Sequence, residues 1–251
     1  MSDMIDHLSG LPSIIEHDFS EFGETETVAL SKIQRLTGSF LGRNWVTVPH
    51  VTHHDEVDVT EVEARRVIWN EANPEARLTP AILLIRAVAE ALTDFPIFNA
   101  SLSADGKSLT LKKYVNIGVA VDTPKGLVVP VLRNVGRRHL TDLGNELTLL
   151  ATKARAKGLS MTEMSGGSIT VSSLGHIGGT AFTPIINLPE VAIVGATALQ
   201  LRPLPSEAAG VTWRKMLPLS LSYDHRIING ADAARFVRAI GERLNSMTIG
   251  S

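Results

Sequence analysis

The sequence of 251 residues contains no cysteine. This absence excludes disulfide bonds, thiolate metal sites and a cysteine nucleophile. An excess of charge of one sign is also absent, since 24 lysines and arginines stand against 26 aspartates and glutamates, a net charge of −2. Without a basic surface to displace counterions, nucleic acid is not expected as a partner.

Long apolar runs are missing as well. The longest apolar helical stretch, AILLIRAVAEAL, is interrupted by Arg86 and Glu90, so it does not predict a membrane span. The N-terminal MSDMIDHLSGLPS has no basic region followed by an apolar core, so no secretion signal is expected. These observations predict a soluble, cytoplasmic protein without a membrane partner.

The apolar content of 44% is enough for a sizeable core. Residues 1–29 are polar and acidic and are predicted to be an arm or the end of a linker, whereas residues 30–251 are predicted to form the main domain. The valine- and threonine-rich VTVPHVTHHDEVDV, residues 46–59, predicts a strand. Thr60 and Glu63 then match a capping box, which predicts a helix from Thr60 through about Asn73.

Further along the chain, Thr79 and the following proline open PAILLIRAVAEALTDF, a helix that is apolar on most faces and is predicted to be buried. SLTLKKYVNIGVAVDT and LVVPVL are predicted to form a hairpin around Thr123. A helix over residues 141–157 has acidic residues early and basic residues late, with Gly158 as its stop.

SITVSS, EVAIVGATALQLRP and LPLSLSY are predicted as strands. A last helix, predicted over residues 231–247, has apolar residues at helical spacing, namely Ala233, Phe236, Val237, Ile240, Leu244 and Met247. Strands and helices mix without strict alternation. The predicted fold class is therefore α/β, of the two-layer α+β kind, with a mixed sheet covered by helices.

The stretch LSLSYDHRIINGADAARF places His225 between a strand and a helix that Asn229 could cap. A side chain at such a rigid junction can be held as a general base. Taken alone, a hydrogen-bonded turn histidine is the commoner case. Asp224 and Arg226 flank the histidine, either as an exposed ion pair of small energetic value or as partners that fix the imidazole's orientation.

Ser172 and Ser173 end a strand before a glycine-rich turn in VSSLGHIGGTAFTP. A hydroxyl there could be a nucleophile, an oxyanion donor or a strand-end cap, and the cap is the commonest of the three. No G-x-S-x-G surrounds either serine, so a nucleophile elbow is excluded. The glycines of LGHIGG lack the G-x-G-x-x-G order, so a dinucleotide site is not expected.

A group of histidines in PHVTHHDEVD resembles a metal site at first sight. On a strand, His50 and His54 would share one face, and His53 and Asp55 would share the other. Neither H-E-x-x-H nor cysteine supports the group, so a metal is not expected.

The combination of motifs is more specific than any one of them. DHRIINGADAARF resembles the H-x-x-x-D-G signature of the dihydrolipoyl acyltransferases, the core components of 2-oxoacid dehydrogenase complexes, which chloramphenicol acetyltransferase shares. NWVTVPHVTHHDEVDVTEVE, NIGVAVDTPKGLVVPV and ITVSSLGHIGGTAFTPIINLPEVAIVG match in the family's order, so the resemblance covers about residues 18–245. It is closest to the catalytic domain of the pyruvate-type acetyltransferases and implies a chloramphenicol acetyltransferase-like fold.

The resemblance implies transfer of an acetyl group between dihydrolipoamide and coenzyme A. His225 matches the family's base, and proton removal from a thiol is worth about 10²–10⁴ in rate. Ser172 matches the family's oxyanion donor better than Ser173 does, and one such donor is worth about 10²–10³. Coenzyme A is then a substrate, the lipoyl group is carried on a separate domain or chain, and no metal is expected.

The resemblance also implies a homotrimer in which His225 and Ser172 of one active site come from neighbouring subunits. Lipoyl domains and other subunits of a 2-oxoacid dehydrogenase complex are the implied partners. Arg43 matches a family arginine that supports the signature turn, and Gly230 completes the signature. Arg66 is a candidate contact to the phosphates of coenzyme A.

Three features depart from the family's pattern. Asn229 replaces the usual aspartate, although some acetyltransferases of this kind carry asparagine, and a neutral amide cannot form an ion pair with Arg43 or act as a charged partner to His225. No lipoyl domain and no peripheral-subunit-binding domain are recognisable. The C-terminus reads NSMTIGS, where many relatives have a leucine-rich tail that docks trimers together, so a trimer is expected more than a larger cubic core.

Two alternatives stay open at this point. The chain could be an acyltransferase for another acyl group or for a small acceptor, although Asp224 occupies the position of a second histidine typical of chloramphenicol acetyltransferases. It could also be a non-catalytic core that serves as a scaffold, although such a protein is expected to lose His225.

Overall fold

The computed structural model describes residues 17–206 and 210–250. The chain separates into two compact units, Met1–Ser31 and Lys32–Ser251. In the described part of the first unit, a 3₁₀ turn spans Phe19–Glu21. The arm over residues 1–29 stays a prediction. Its first sixteen residues, which include MSDMIDHLSGLPS, lie outside the described residues, so the expected absence of a secretion signal also stays a prediction.

The second unit contains a large mixed sheet with helices around it. In its described residues the helices α1 to α6 span, in order, Lys32–Thr47, Thr60–Ala72, Pro80–Asp94, Leu140–Ala156, Met161–Met164 and Gly230–Ser246. The strands β1 to β9 span His50–Asp58, Ala100–Leu102, Leu109–Leu111, Ile117–Val119, Val131–Leu132, Ile169–Ser173, Ala192–Ala196, Gln200–Ser206 and Gly210–Asp224. Among these helices, none has the length and apolarity of a membrane span.

Seven strands form one sheet in the order β1-β9-β7-β6-β4-β5, with β8 paired to β9, while β2 and β3 form a separate pair. Strands β4, β6 and β7 run parallel, and the remaining pairs are antiparallel. A mixed sheet covered by helices confirms the predicted fold class.

Helices α3 and α6 supply much of the core. Thr79 caps α3 by accepting a hydrogen bond from the Ile82 amide at 3.3 Å, and Pro80 occupies the first turn. Nine residues of this helix are buried, at about 1.5–3 kcal/mol for each large apolar side chain. In α6, Phe236 stacks on Phe98 with ring centroids 4.1 Å apart. The predicted buried faces of both helices are confirmed, including all six apolar positions proposed for α6.

The fourth helix is confirmed, and the predicted hairpin is confirmed in part. Strands β4 and β5 pair antiparallel, but SLTL, the start of the predicted first strand, forms β3 and pairs with β2 in the separate two-stranded sheet. Around Thr123, the Gly126 amide donates to the Thr123 carbonyl at 2.9 Å, and the Thr123 hydroxyl donates to the Gly126 carbonyl at 2.6 Å. Helix α4 ends one residue before its predicted end, and the Gly158 amide donates to the Lys153 carbonyl at 3.1 Å.

The predicted capping box was wrong, although the helix it opens is present. The N-cap of α2 is Val59, and the Thr60 hydroxyl donates to Asp58 at 2.6 Å. The Glu63 carboxylate binds Arg66 at 2.6 Å instead of reaching back to the helix start. Thr60 and Glu63 therefore bond to Asp58 and Arg66, and not to each other's backbone amides as a capping box requires.

Three strand boundaries also differ from those predicted. The strand expected over residues 46–59 begins only at His50, because the residues through Thr47 continue α1, a helix that was not predicted. EVAIVGATALQLRP forms two strands, β7 and β8, with a break between them. LPLSLSY is the second half of the longer β9.

Candidate active site

His225 lies in a short turn between the end of β9 and the start of α6. The amides of Ile227 and Ile228 both donate to the Asp224 carbonyl at 3.0 Å, which closes the turn. The His225 amide donates to the carbonyl of Pro49, the residue before β1, at 3.1 Å. The backbone of His225 is therefore fixed both by its own turn and by a distant segment.

The Asp224 side chain holds the turn from inside. Asp224 is only 2% exposed, and its carboxylate accepts hydrogen bonds from the Arg226 amide at 3.0 Å and from Arg226 Nη2 at 2.6 Å. This bond to Asp224 raises the pKa of Arg226. The Asp224 carboxylate of this pair is buried, whereas the Arg226 side chain is 43% exposed, and the hydrogen bonds of the pair lie within the turn.

The imidazole of His225 is exposed. Its closest ring neighbour is the buried Tyr223, with centroids 5.7 Å apart and ring planes inclined at 42°. A fixed backbone with an open ring suits a base that must come within about 3 Å of a substrate thiol.

Asn229 is the N-cap residue of α6 by position only. Its carbonyl accepts from the amides of Asp232 and Ala233 at 3.0 Å, but its exposed side chain makes no capping bond. The expectation that this side chain caps the helix was therefore wrong. At Gly230, an added Cβ would lie 3.6 Å from Tyr223 Oη, an ordinary contact, so space alone does not require a glycine there.

The two predicted supporting arginines have other partners. Arg43 lies on the exposed side of α1, where its guanidinium stacks 5.0 Å from the centre of the Phe40 ring. Arg66 binds both oxygens of Glu63 and donates to the Leu78 carbonyl at 2.8 Å. The bond to Glu63 raises the pKa of Arg66, and phosphate binding would require Arg66 to exchange these partners.

Ser172 and Ser173 lie at the end of β6, on opposite faces of the sheet because side chains alternate along a strand. Ser172 is paired with Gly195 of β7, and both serines are half-buried. The ring of Phe182 covers Gly195 so closely that an added Cβ would lie 2.6 Å from Phe182 Cζ. In the described part of the chain the Ser172 hydroxyl has no hydrogen-bond partner, so it is free to donate to a ligand.

Ser172 and His225 of one chain are far apart. Ser172 is opposite Gly195, and Gly195 is opposite Ser220 of β9. His225 follows Ser220 by five residues, which places it about 16 Å farther along the strand direction than Ser172. Two strand spacings also separate β9 from β6, which adds about 10 Å across the sheet. One chain therefore does not bring both side chains to the same substrate.

Two of the three histidines of PHVTHHDEVD, His50 and His54, have protein partners. His54 Nδ1 lies 2.9 Å from Ser220 Oγ, and Asp55 forms an ion pair with Arg238 at 3.1 Å. His50 hydrogen-bonds through both ring nitrogens. Within residues 17–206 and 210–250, no group of three or more histidine, cysteine, aspartate or glutamate side chains has a metal-binding arrangement.

Sequence reasoning missed the Pro49 carbonyl and the Phe182 ring. Pro49 contacts His225, which is 176 positions away in the sequence, and the Phe182 ring lies against Gly195 of β7. Neither contact produces a local pattern. The contact of Pro49 could have been predicted only if the pairing of β1 with β9 had been deduced from the sequence.

Comparison with known proteins supplies the context for this geometry. The family model described as the catalytic domain of 2-oxoacid dehydrogenases acyltransferase matches residues 22–249. A Pseudomonas aeruginosa protein, the dihydrolipoyllysine-residue acetyltransferase component of the pyruvate dehydrogenase complex, is 51% identical over 94% of this chain. This chain covers only 43% of that relative's length.

Two solved structures are 47% identical, each with a TM-score of 0.90 over 94% of this chain and 98% of the other. One is the Azotobacter vinelandii dihydrolipoamide acetyltransferase, in which the catalytic roles of a serine, a histidine and an asparagine were investigated. The other is the cubic core of the pyruvate dehydrogenase multienzyme complex. A chloramphenicol acetyltransferase, 15% identical over 78% of this chain and 89% of its own, has a TM-score of 0.56, which shows a shared fold alone.

Proposed function

Because the chain belongs to the family of 2-oxoacid dehydrogenase acyltransferase catalytic domains, we propose that it transfers an acetyl group between dihydrolipoamide and coenzyme A. Residues 30–251 form the catalytic domain in this proposal, and residues 1–29 are an arm. The observation that carries the proposal is the held turn of His225, whose backbone is fixed while its imidazole stays exposed.

The reaction needs a base and an oxyanion donor. His225 takes the proton of the coenzyme A thiol, which is only a few per cent ionised at neutral pH. The thiolate attacks the thioester carbonyl of acetyl-dihydrolipoamide, and the negative charge on the carbonyl oxygen is stabilised by the Ser172 hydroxyl. The tetrahedral intermediate then expels the lipoyl sulfur, which receives the proton from the imidazolium.

The Azotobacter vinelandii relative supports the choice of His225 and Asn229. Its histidine and asparagine are four residues apart, as are His225 and Asn229. Its serine precedes the histidine by 52 residues, which equals the spacing of Ser173 to His225, whereas Ser172 precedes His225 by 53. The assignment of Ser172 therefore rests on its place as the first serine of VSSLG, and not on this spacing. This difference of one residue makes Ser173 the natural control for Ser172.

We propose that His225 of one subunit and Ser172 of its neighbour form each site of a cytoplasmic homotrimer. The separation of the two residues within one chain supports this arrangement. The named relatives indicate a place in the core of a pyruvate dehydrogenase complex, where lipoyl groups on separate domains or chains deliver the acetyl group. Light scattering is expected to give a mass near 81 kDa, three times the 27.0 kDa of one chain, and a much larger closed particle would contradict a trimer.

The test of the reaction is an assay of wild-type protein with coenzyme A and acetyl-dihydrolipoamide, compared with succinyl and branched-chain acyl donors. Formation of acetyl-coenzyme A, fastest with the acetyl donor, is expected. A preference for another donor would change the acyl class. Absence of turnover with all donors by the folded protein would contradict the enzyme and favour the non-catalytic scaffold.

A further inference from the structure

His50, the first residue of β1, uses both nitrogens of its ring. Its Nδ1 lies 2.8 Å from the Val48 carbonyl oxygen, and its Nε2 accepts a hydrogen bond from the Ile186 amide at 3.0 Å. Because an amide can only donate, Nε2 must be unprotonated, and Nδ1 carries the hydrogen that binds Val48. The two contacts therefore require the neutral ring in one tautomer.

The partners of His50 are themselves held tightly. Val48 is 2% exposed and Ile186 is fully buried. The Ile186 carbonyl accepts a hydrogen bond from the buried Asn44 of α1 at 3.0 Å. The ring of His50 also stacks on Trp45, with centroids 5.4 Å apart. His50 is thus clamped between α1 and the segment that contains Ile186.

The clamped segment is the one that reaches the candidate base. Pro49 lies between Val48 and His50, and its carbonyl accepts the hydrogen bond of the His225 amide at 3.1 Å. His50 is also the register partner of Asp224, the residue that closes the turn of His225. Fixing both neighbours of Pro49 fixes the direction of the carbonyl that His225 contacts.

We propose that His50 is a positioning residue for His225, acting through the Val48–Pro49–His50 backbone. It touches no reacting atom. Its two hydrogen bonds keep the Pro49 carbonyl in place, and the Pro49 carbonyl keeps the turn of His225 in the geometry needed for proton removal. This inference rests on the proposed function of His225 as a base.

The first test does not depend on activity. Nitrogen-15 NMR of the wild-type protein is expected to show His50 with a protonated Nδ1 and an unprotonated Nε2 at neutral pH. A spectrum with the hydrogen on Nε2, or on both nitrogens, would overturn the proposal, whatever the protein catalyses.

The second test compares variants in the acyl-transfer assay. His50→Ala removes both hydrogen bonds, and kcat is expected to fall about 10- to 100-fold with unchanged KM values, since a small misplacement of a catalytic group costs rates of this order. His50→Asn retains a donor near the position of Nδ1, and His50→Gln retains an acceptor near the position of Nε2. Each is expected to recover part of the lost kcat.

His53→Ala is the matched control, because His53 is the same residue type on the same strand but faces the other side of the sheet. Its kcat is expected to stay within about twofold of wild type. The proposal would be overturned if His50→Ala kept the kcat of wild type. It would also be overturned if the loss of kcat equalled the unfolded fraction of the variant, or if neither His50→Asn nor His50→Gln restored any of the lost kcat. No turnover by wild-type protein would instead refute the proposed function, and the NMR result would still stand.

Discussion

The two halves of the proposed site are held by different means. The His225 amide donates to the Pro49 carbonyl, outside its own turn, while the Ile227 and Ile228 amides close the turn on the Asp224 carbonyl. The buried Asp224 carboxylate adds a bond to the Arg226 amide. Ser172 is fixed by the sheet, through its pairing with Gly195 of β7, and its hydroxyl is free among the described residues. The base therefore depends on distant segments for its position, whereas the donor depends on the strand that carries it.

The largest expected effect comes from removing the base. His225→Ala is predicted to lower kcat by about 10²–10⁴, while the melting temperature stays nearly unchanged because the imidazole is exposed. Steady-state kinetics and thermal unfolding followed by circular dichroism measure the two quantities. A large loss of stability with little loss of kcat would make His225 a structural turn residue.

The second effect concerns the donor half. Ser172→Ala is predicted to lower kcat by about 10²–10³, because the oxyanion loses its preorganised hydroxyl. Ser173→Ala, on the opposite face of β6, is expected to change kcat less than about threefold. If Ser173→Ala gave the larger loss in the same assay, the face assigned to the active site would be the wrong one.

A buried carboxyl group next to the strand of Ser172 is predicted to make the free energy of unfolding depend on pH. The buried Glu190 accepts a hydrogen bond from Thr170, two residues before Ser172, at 2.7 Å. Burial raises the pKa of Glu190 from 4.5 to about 7, against the lowering effects of Thr170 and Lys112. Since the folded-state pKa is the higher one, this contribution to stability is complete below pH 4.5 and is lost as the pH rises through about 7.

Glu190→Gln removes this titration. Over about pH 5 to pH 8 the free energy of unfolding of wild type is expected to fall by about 1–3 kcal/mol relative to that of the variant. Urea unfolding at a fixed protein concentration measures the difference. Parallel pH profiles for the two proteins would show that Glu190 does not titrate in this range.

The smallest expected effect is at Asn229. Asn229→Asp is predicted to keep at least a tenth of the wild-type activity, a barrier change below about 1.4 kcal/mol. The Asn229 side chain is exposed and makes no capping bond, so the turn of His225 does not depend on it within the chain. A larger loss in kcat/KM would show that the amide itself is required.

The elements that sequence predicted well are those in which local pattern and burial agree. All six apolar positions predicted for the last helix are buried, five of them in α6 and Met247 directly after it, and α3 begins at its predicted Thr79 cap. Helix α1 was missed because it contains two glycines and leaves Leu36 and Trp45 more than half exposed, so it lacks a buried apolar face. Periodicity could not signal such a helix.

The candidate site was predicted from motifs, but its support was not. His225 and Ser172 stand out in the sequence, and the structure places both at strand ends. The bonds of His50 to Val48 and Ile186 join residues up to 136 positions apart. Such long-range contacts leave no spacing in the sequence that could be recognised.

The central claim, that each site combines His225 of one subunit with Ser172 of another, is tested most directly by subunit mixing. His225→Ala and Ser172→Ala are each nearly inactive alone. After subunit exchange at equal amounts, confirmed by native mass spectrometry, about a quarter of the interfaces of a cyclic trimer pair an intact histidine with an intact serine. Recovery of about a quarter of the wild-type activity is predicted, and mixed trimers that stay as inactive as their parents would contradict the shared site.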